Sequence, residues 1–324
     1  MIDPLNDGSE ATWKKTSNPN YPVSYSRTTN PLSPVKPTVK ARFKVTPAFN
    51  TTLGFAVRAK LNGTVVGQAV LDITGQYGTA TMTLDITNST VAASNYTLIW
   101  EVWDYYSPWV AGGQSGPHTI YWTYDAPLSP KFYNHFHDAS FTPLYTKALQ
   151  KACTYANGLS NIELIASAVA AGVANDLTYD PGAQLGANIH PLKAYTFDTM
   201  CADHAALGEG LMRSIGINMP VRYLFAGSDN KTAIYYQTGA GPNLPCTARF
   251  NRPANNLAQA LPHFRYHAAL YYYLNGTLYD TSYGDSYAEA WTPLEVAPGN
   301  TAKTQSDYHM IDFNWSNPVY TCPH

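Results

Sequence analysis

From Val39 to about Tyr124 the hydrophobic positions recur with a period of two. Ala41/Phe43/Val45, Phe55/Val57, Ala80/Met82/Leu84/Ile86, Tyr96/Leu98/Trp100/Val102 and Ile120/Trp122 alternate with mainly polar neighbours. That alternation predicts strands with one buried face. Asn62-Gly63 lies between two such runs and predicts a two-residue type I′ hairpin turn, which needs φ > 0 at both central positions. No helical pattern interrupts the stretch, and roughly six or seven short strands predict an immunoglobulin-like β-sandwich with Trp100 in its core. Residues 1–37 hold Pro4, Pro19, Pro22, Pro31, Pro34 and Pro37 without periodicity, so they read as an extended arm against a domain or a disordered leader.

Beyond the linker Asp125-Ala126-Pro127-Leu128-Ser129-Pro130 the period changes to 3.6. Thr142-Pro143 predicts a helix start and Gly158 its stop, with Leu144, Ala148, Leu149, Ala152 and Tyr155 on one apolar face. Ser160-Asn161-Ile162-Glu163 is a capping-box pattern that opens a second helix, with Ile162, Ile165, Ala166, Val169 and Val173 inward. A third helix runs from near Cys201 to near Gly216. Strands follow over Val221–Ala226, Ala233–Tyr236, His267–Leu274 and Thr277–Ser282. The predicted organisation is an arm (1–37), an all-β sandwich (38–126) and an α+β domain (127–324).

Composition narrows the function classes. The 324 residues carry 20 Lys+Arg against 22 Asp+Glu with no basic block, which argues against a nucleic-acid surface. No apolar run is long enough to span a membrane as a helix. Charged residues are only 13% of the chain, and a neutral polar surface of this kind is common in exported proteins. The N-terminus has no apolar segment, so the expectation is an extracellular or cell-surface protein whose secretory signal is absent or removed. Four cysteines, Cys153, Cys201, Cys246 and Cys322, are too few for a disulfide scaffold. Cys153 reads as core, and Cys246 and Cys322 are able to pair in an oxidising compartment. The loop with Tyr105, Tyr106 and Trp109 offers aromatic faces for a glycan, although such residues more often cover a seam between domains.

The chemistry concentrates at Cys201. In Phe197-Asp198-Thr199-Met200-Cys201-Ala202-Asp203-His204 the N-cap is Asp198 or Thr199, which puts Cys201 in the first helical turn. The helix dipole there favours a thiolate, and free backbone N–H groups can receive an oxyanion. Asp203 is placed to orient the helix start, and Tyr195 and His190 are candidate side-chain oxyanion donors. His267-Ala268-Ala269-Leu270-Tyr271-Tyr272-Tyr273-Leu274 reads as a strand, Asn275-Gly276 as a turn and Thr277-Leu278-Tyr279-Asp280 as the return. His267 and Asp280 then share one face, and a histidine oriented by a carboxylate toward a cysteine is what thiol catalysis needs. Pairing Leu274 with Thr277, however, sets Gly284 opposite His267 and leaves Asp280 four residues away, roughly 13 Å. A direct bond would require twist, a bulge or a shifted pairing.

The segment CADHAALGEGLMRSIGINMPVRYLFAG resembles the nucleophile segment of the transglutaminase-like superfamily, and HAALYYYLNGTLYDTSYG resembles its His strand, turn and Asp strand. Cys201, Arg213, Gly216, Ile217, Arg222, His267 and Asp280 stand at matching positions, over roughly residues 130–290. Departures are Thr199-Met200 where glycine often precedes the cysteine, Ala269 where tryptophan commonly stands, and a long Cys-to-His stretch holding Cys246 and Pro253. The resemblance implies a papain-like α+β core with a catalytic triad of Cys201, His267 and Asp280. It also implies a protein or peptide substrate and no required cofactor, and an immunoglobulin-like domain before the core fits it. Members include crosslinking acyltransferases, cysteine proteases and peptide:N-glycanases. Without an obvious calcium loop, hydrolysis is slightly favoured over amine crosslinking.

Two alternatives use the same residues. Cys201, His204, His263 and His267 have donor types and spacings that a zinc site can use, although the second pair falls at a strand rather than on a helix face. A cell-surface adhesion module with a degenerate enzyme core is the other.

Overall fold

The structure, a computed structural model, describes residues 23–26, 35–103, 105–106, 108–128, 132–134, 139–141, 145–179, 191–195, 197–225, 248–249, 263–264, 266–282, 284–287 and 309–311. The chain forms two units that meet in sequence between Ala126 and Pro127.

The first unit is a five-stranded sheet of order β1-β5-β4-β2-β3, made of β1 (Val23–Ser26), β2 (Thr38–Leu61), β3 (Thr64–Thr83), β4 (Ala92–Trp103) and β5 (Val110–Thr123). The hairpin at Asn62-Gly63 has φ of 51° and 85°, the doubly positive pair of a type I′ turn. The expected two-sheet immunoglobulin-like sandwich is not what the hydrogen bonds draw, because all five strands belong to one sheet. The reason lies in β2 and β3, which are long strands that bend. Their register shifts between Lys44 and Phe49 and again between Phe49 and Leu53, around Pro47, which has no ladder donor to offer. After the bend the sheet curls over its own face. The Phe43 ring meets Trp100 edge-on at 5.4 Å, and Val66 O accepts from Asp85 N at 2.5 Å, so the start of β3 lies beside its own end. Gly67 is needed at that approach, since a Cβ there would lie 2.9 Å from Leu84 and 3.0 Å from Met82. The enclosed core holds Val57, Leu71, Ile73, Leu84, Leu98 and Trp122, each side chain contributing roughly 1.5–3 kcal/mol by burial. Trp100 belongs to it as expected, its indole N–H donating to Ser115 Oγ at 2.8 Å. Part of the proline-rich arm has a definite place: β1 pairs parallel with β5, Val23 opposite Ile120.

The second unit wraps helices α1 (Thr146–Tyr155), α2 (Ile162–Asp176) and α3 (Cys201–Ser214) on an antiparallel sheet of order β13-β12-β11-β8-β14. Its strands are β8 (Val221–Phe225), β11 (Tyr266–Tyr272), β12 (Thr277–Asp280), β13 (Asp285–Tyr287) and β14 (His309–Ile311). Two small pairs, β6 (Phe132–Asn134) with β7 (Ala139–Phe141) and β9 (Ala248–Arg249) with β10 (His263–Phe264), complete the described strands. Helices precede the sheet, as the periodicity predicts. Helix α1 starts at Thr146 rather than at Pro143, capped by the extended Tyr145. Helix α2 is capped by Asn161, whose side chain accepts from Glu163 N and Leu164 N, one residue later than the Ser160 start the pattern predicts. Thirteen residues of α3 are buried, because Ala202, Ala205, Ala206, Gly208 and Gly210 let neighbours approach on every side. Helices α1 and α2 pack on α3, and β11 packs against it. Among the described residues no helix is long and apolar enough to cross a membrane.

Candidate active site at the start of the central helix

Cys201 is the first residue of α3, with Met200 as the extended N-cap. The cap falls one or two residues later than expected because Thr199 is held in a parallel bridge to Tyr179, its N–H donating to Thr178 O at 3.1 Å. A residue committed to that bridge stays extended, so the helix begins after it. No Ser or Asp caps the end; Asp203, in the third helical position, accepts from Met200 N at 3.3 Å and puts a carboxylate in the first turn. The thiol of Cys201 is free and 0% exposed.

One turn on, His204 is completely buried. Its Nδ1 lies 3.3 Å from the Thr281 carbonyl oxygen, and its ring meets Tyr179 edge-on at 5.5 Å. A carbonyl only accepts, so Nδ1 carries the proton and donates. Gly208, a further turn along, lets the sheet close on the helix: a Cβ there would sit 2.7 Å from Thr281 Cγ2 and 3.2 Å from Leu270 Cδ1.

Asp280 ends β12 and is 0% exposed. Its Oδ1 accepts from Ser282 N at 2.9 Å, and its carbonyl from Gly284 N at 2.7 Å, so the carboxylate is fixed by the turn that follows it. The β11–β12 pairing corrects the expected register. Tyr272, not Leu274, opposes the start of the return strand at Thr277, and Leu270 opposes Tyr279. The connection spans Tyr273 to Gly276 because Asn275 is drawn elsewhere. Its side chain donates to Glu163 Oε1 at 2.7 Å and accepts from Thr277 N at 3.0 Å, while Gly276, at φ 74°, donates to Tyr272 O at 3.0 Å. The paired ladder reaches Leu270 opposite Tyr279, and Asp280 follows as the last residue of β12, paired on its other side with Asp285. The His267 backbone pairs with Leu224. The side chain of His267, like those of Arg222 and His263, lies outside the described residues, as do His190, Cys246 and Cys322.

Tyr195 sits in a short 3-10 helix (Pro191–Tyr195). The Tyr155 hydroxyl donates to Asp176 Oδ2 at 2.6 Å, which spends its one proton, so the Tyr195 hydroxyl donates to Tyr155 at 3.1 Å. Lys151 Nζ also reaches Asp176 Oδ2. Burial pulls the Asp176 carboxyl up, but the hydrogen bonds from Lys151 and Tyr155 outweigh it and hold the group below the ordinary range. A cavity of about 240 Å³ opens beside this network, lined by Asp176, Thr178, Ala194, Tyr195, Phe197 and Asp198, on the segment that leads into α3.

Three hydroxyls lie within two residues of Cys201 or Asp280 in the chain. Thr199 Oγ1, Thr281 Oγ1 and Ser282 Oγ are buried without a hydrogen-bond partner among the described residues. Each costs roughly 1–3 kcal/mol in that condition. These hydroxyls and the bond from His204 are what the sequence reading missed. For His204 the signal was present in the i, i+3 spacing from Cys201, which puts both on one helix face. Among the described residues no three His, Cys, Asp or Glu side chains gather as a metal would require. In the other unit Arg58 lies 4.2 Å over the Trp109 ring, which stacks with Trp103, while Tyr106 is 97% exposed.

The chain matches no known family and no curated protein. Among solved structures it is similar to red sea bream transglutaminase at 9% identity and a TM-score of 0.36, over 88% of this chain and 51% of that one. This chain therefore spans about half the length of that enzyme. It is also similar to a Cytophaga hutchinsonii protein described as a candidate cysteine protease, at 12% identity and a TM-score of 0.27, over 89% of this chain and 90% of that one. At these TM-scores neither likeness defines a shared fold.

Proposed function

We propose that the protein is a cysteine-dependent acyl-transfer enzyme of the transglutaminase-like class, with Cys201 as nucleophile, His267 as general acid and base, and Asp280 as the carboxylate that orients the imidazole. Within that class we assign it to hydrolysis of a peptide or carboxamide bond. One juxtaposition carries the reading. The helix that begins at Cys201 is bonded, one turn on, through His204 Nδ1 to the carbonyl of Thr281, the residue that follows Asp280.

The Cys201 thiolate attacks the carbonyl carbon, and the oxyanion that forms accepts hydrogen bonds from backbone N–H groups at the start of α3. His267 in its charged form gives a proton to the departing amine, and the C–N bond breaks to leave a thioester. Neutral His267 then takes a proton from water as the oxygen attacks the thioester, and the thiolate leaves with the carboxylic product. Asp280 holds the imidazole tautomer throughout and stabilises its cationic form. Because Cys201 is closed to solvent, a substrate reaches it only when the surrounding chain moves.

Casein with dansylcadaverine separates the outcomes. Hydrolysis predicts new amine or ammonia release that Cys201→Ala abolishes, with little fluorophore incorporated. Incorporation that exceeds release would make the protein a crosslinking enzyme, and release that survives Cys201→Ala would overturn the assignment.

A further inference from the structure

We propose that His204 is a positioning residue of this site: by donating from Nδ1 to the Thr281 carbonyl, it sets the distance between the nucleophile's helix turn and the strand end that carries Asp280. The inference rests on the acyl-transfer reading above. Its support is geometric. His204 lies at i+3 from Cys201, so a shift of its ring and a shift of the sulfur are one motion of the same helical face. The bond, at 3.3 Å, is made to backbone rather than to a mobile side chain, and the acceptor belongs to the residue next to Asp280. The Asp280 carboxylate is fixed to that same turn through Ser282 N. The Tyr179 ring, 5.5 Å away, closes the other side, and Tyr179 is tied by its bridge with Thr199 to the residue two before Cys201. His204 thus stands between the two ends that a triad must keep in register. Misplacement of a reacting group by about 1 Å can cost about 100-fold in rate.

The hydrogen bond and the bulk of the ring are separable. Asparagine puts an N–H donor close to the place of Nδ1, and leucine fills a similar volume with no donor. The readout is iodoacetamide alkylation of Cys201 in the full chain, followed by mass spectrometry at pH 6.5 and pH 9, with thermal melting as the control for folding. Wild type and His204→Asn are expected to alkylate at pH 6.5 within about 3-fold of each other. His204→Leu is expected to be at least about 10-fold slower at pH 6.5 and to approach the wild-type rate at pH 9. A merely structural role would instead make alkylation follow the melting temperature in both variants. Equal rates for His204→Asn and His204→Leu at pH 6.5 would overturn the positioning role while leaving Cys201 as the nucleophile. Should wild-type Cys201 itself react no faster than Cys153, the acyl-transfer reading fails first. If His204→Leu does not fold, a His204→Asn protein that is folded yet 10-fold slower than wild type at pH 6.5 overturns the proposal, and one that keeps the wild-type rate supports it.

Discussion

Cys153 and Cys201 are both free thiols, both 0% exposed, and both carried by helices packed in the same unit. They stand at opposite ends of their helices. Cys153 lies in the last turn of α1, among Ala148, Leu149 and Ala152, where the negative end of the dipole disfavours a thiolate. Burial pushes its thiol pKa upward, and nothing around it lowers it. Cys201 opens α3, where N–H groups point outward, and a buried histidine and a buried aspartate turn lie against the same helix. Burial alone therefore does not decide what a cysteine does. On the proposed reading, helix end and neighbours separate a packing group from a nucleophile.

Cys201→Ala should lower substrate turnover by about 10⁴-fold or more, and Cys153→Ala should leave it within about 2-fold; turnover that is equal in the two variants would erase the contrast. Asp280→Asn, which keeps shape and one acceptor for Ser282 N, should cost roughly 10²–10⁴-fold in kcat with little change in KM, as loss of an orienting carboxylate does. Gly208→Ala drives a methyl into Thr281 and Leu270, and thermal melts should show a loss of about 1–2 kcal/mol, reduced by the better helix propensity of alanine. If α3 must sit tight on β11 and β12 for catalysis, the same change lowers kcat as well. Cys153→Ala should cost about 1 kcal/mol of stability from lost packing, read by denaturant titration.

The smallest effect is acid-dependent. Asp176, bonded to Lys151 of the Cys153 helix, has a folded pKa below its ordinary value. Its contribution to stability is therefore full above about pH 4 and is lost as the pH falls through the lowered value. Asp176→Asn should lower the melting temperature slightly at pH 7 and flatten its decline between pH 5 and pH 3. An unchanged decline would show that the Lys151–Asp176–Tyr155 network does not stabilise the Cys153 helix.

Much of this contrast was legible before any coordinates, because it depends on local rules. The alternation in β2 to β5, the Asn62-Gly63 turn, the three helices and the helix-opening place of Cys201 each follow from spacing within a few residues. What was not legible depends on distant partners. The curl that makes one sheet enclose its own core depends on Phe43 reaching Trp100 and Gly67 reaching Met82, contacts that no local pattern encodes. The four-residue turn before β12 depends on Glu163 of α2 holding Asn275, and that contact sets Tyr272 rather than Leu274 opposite Thr277. The carbonyl partner of His204 lies 77 positions away, beyond the reach of any local pattern.

Both described thiols are 0% exposed, so iodoacetamide reaches either one only when the chain around it opens. Brief exposure of the native protein to iodoacetamide at pH 6.5, followed by peptide mass spectrometry, compares them in one tube. Acyl transfer through Cys201 predicts carbamidomethylation there at least about 10-fold ahead of Cys153. Equal labelling of the two, or label on Cys153 first, would contradict it.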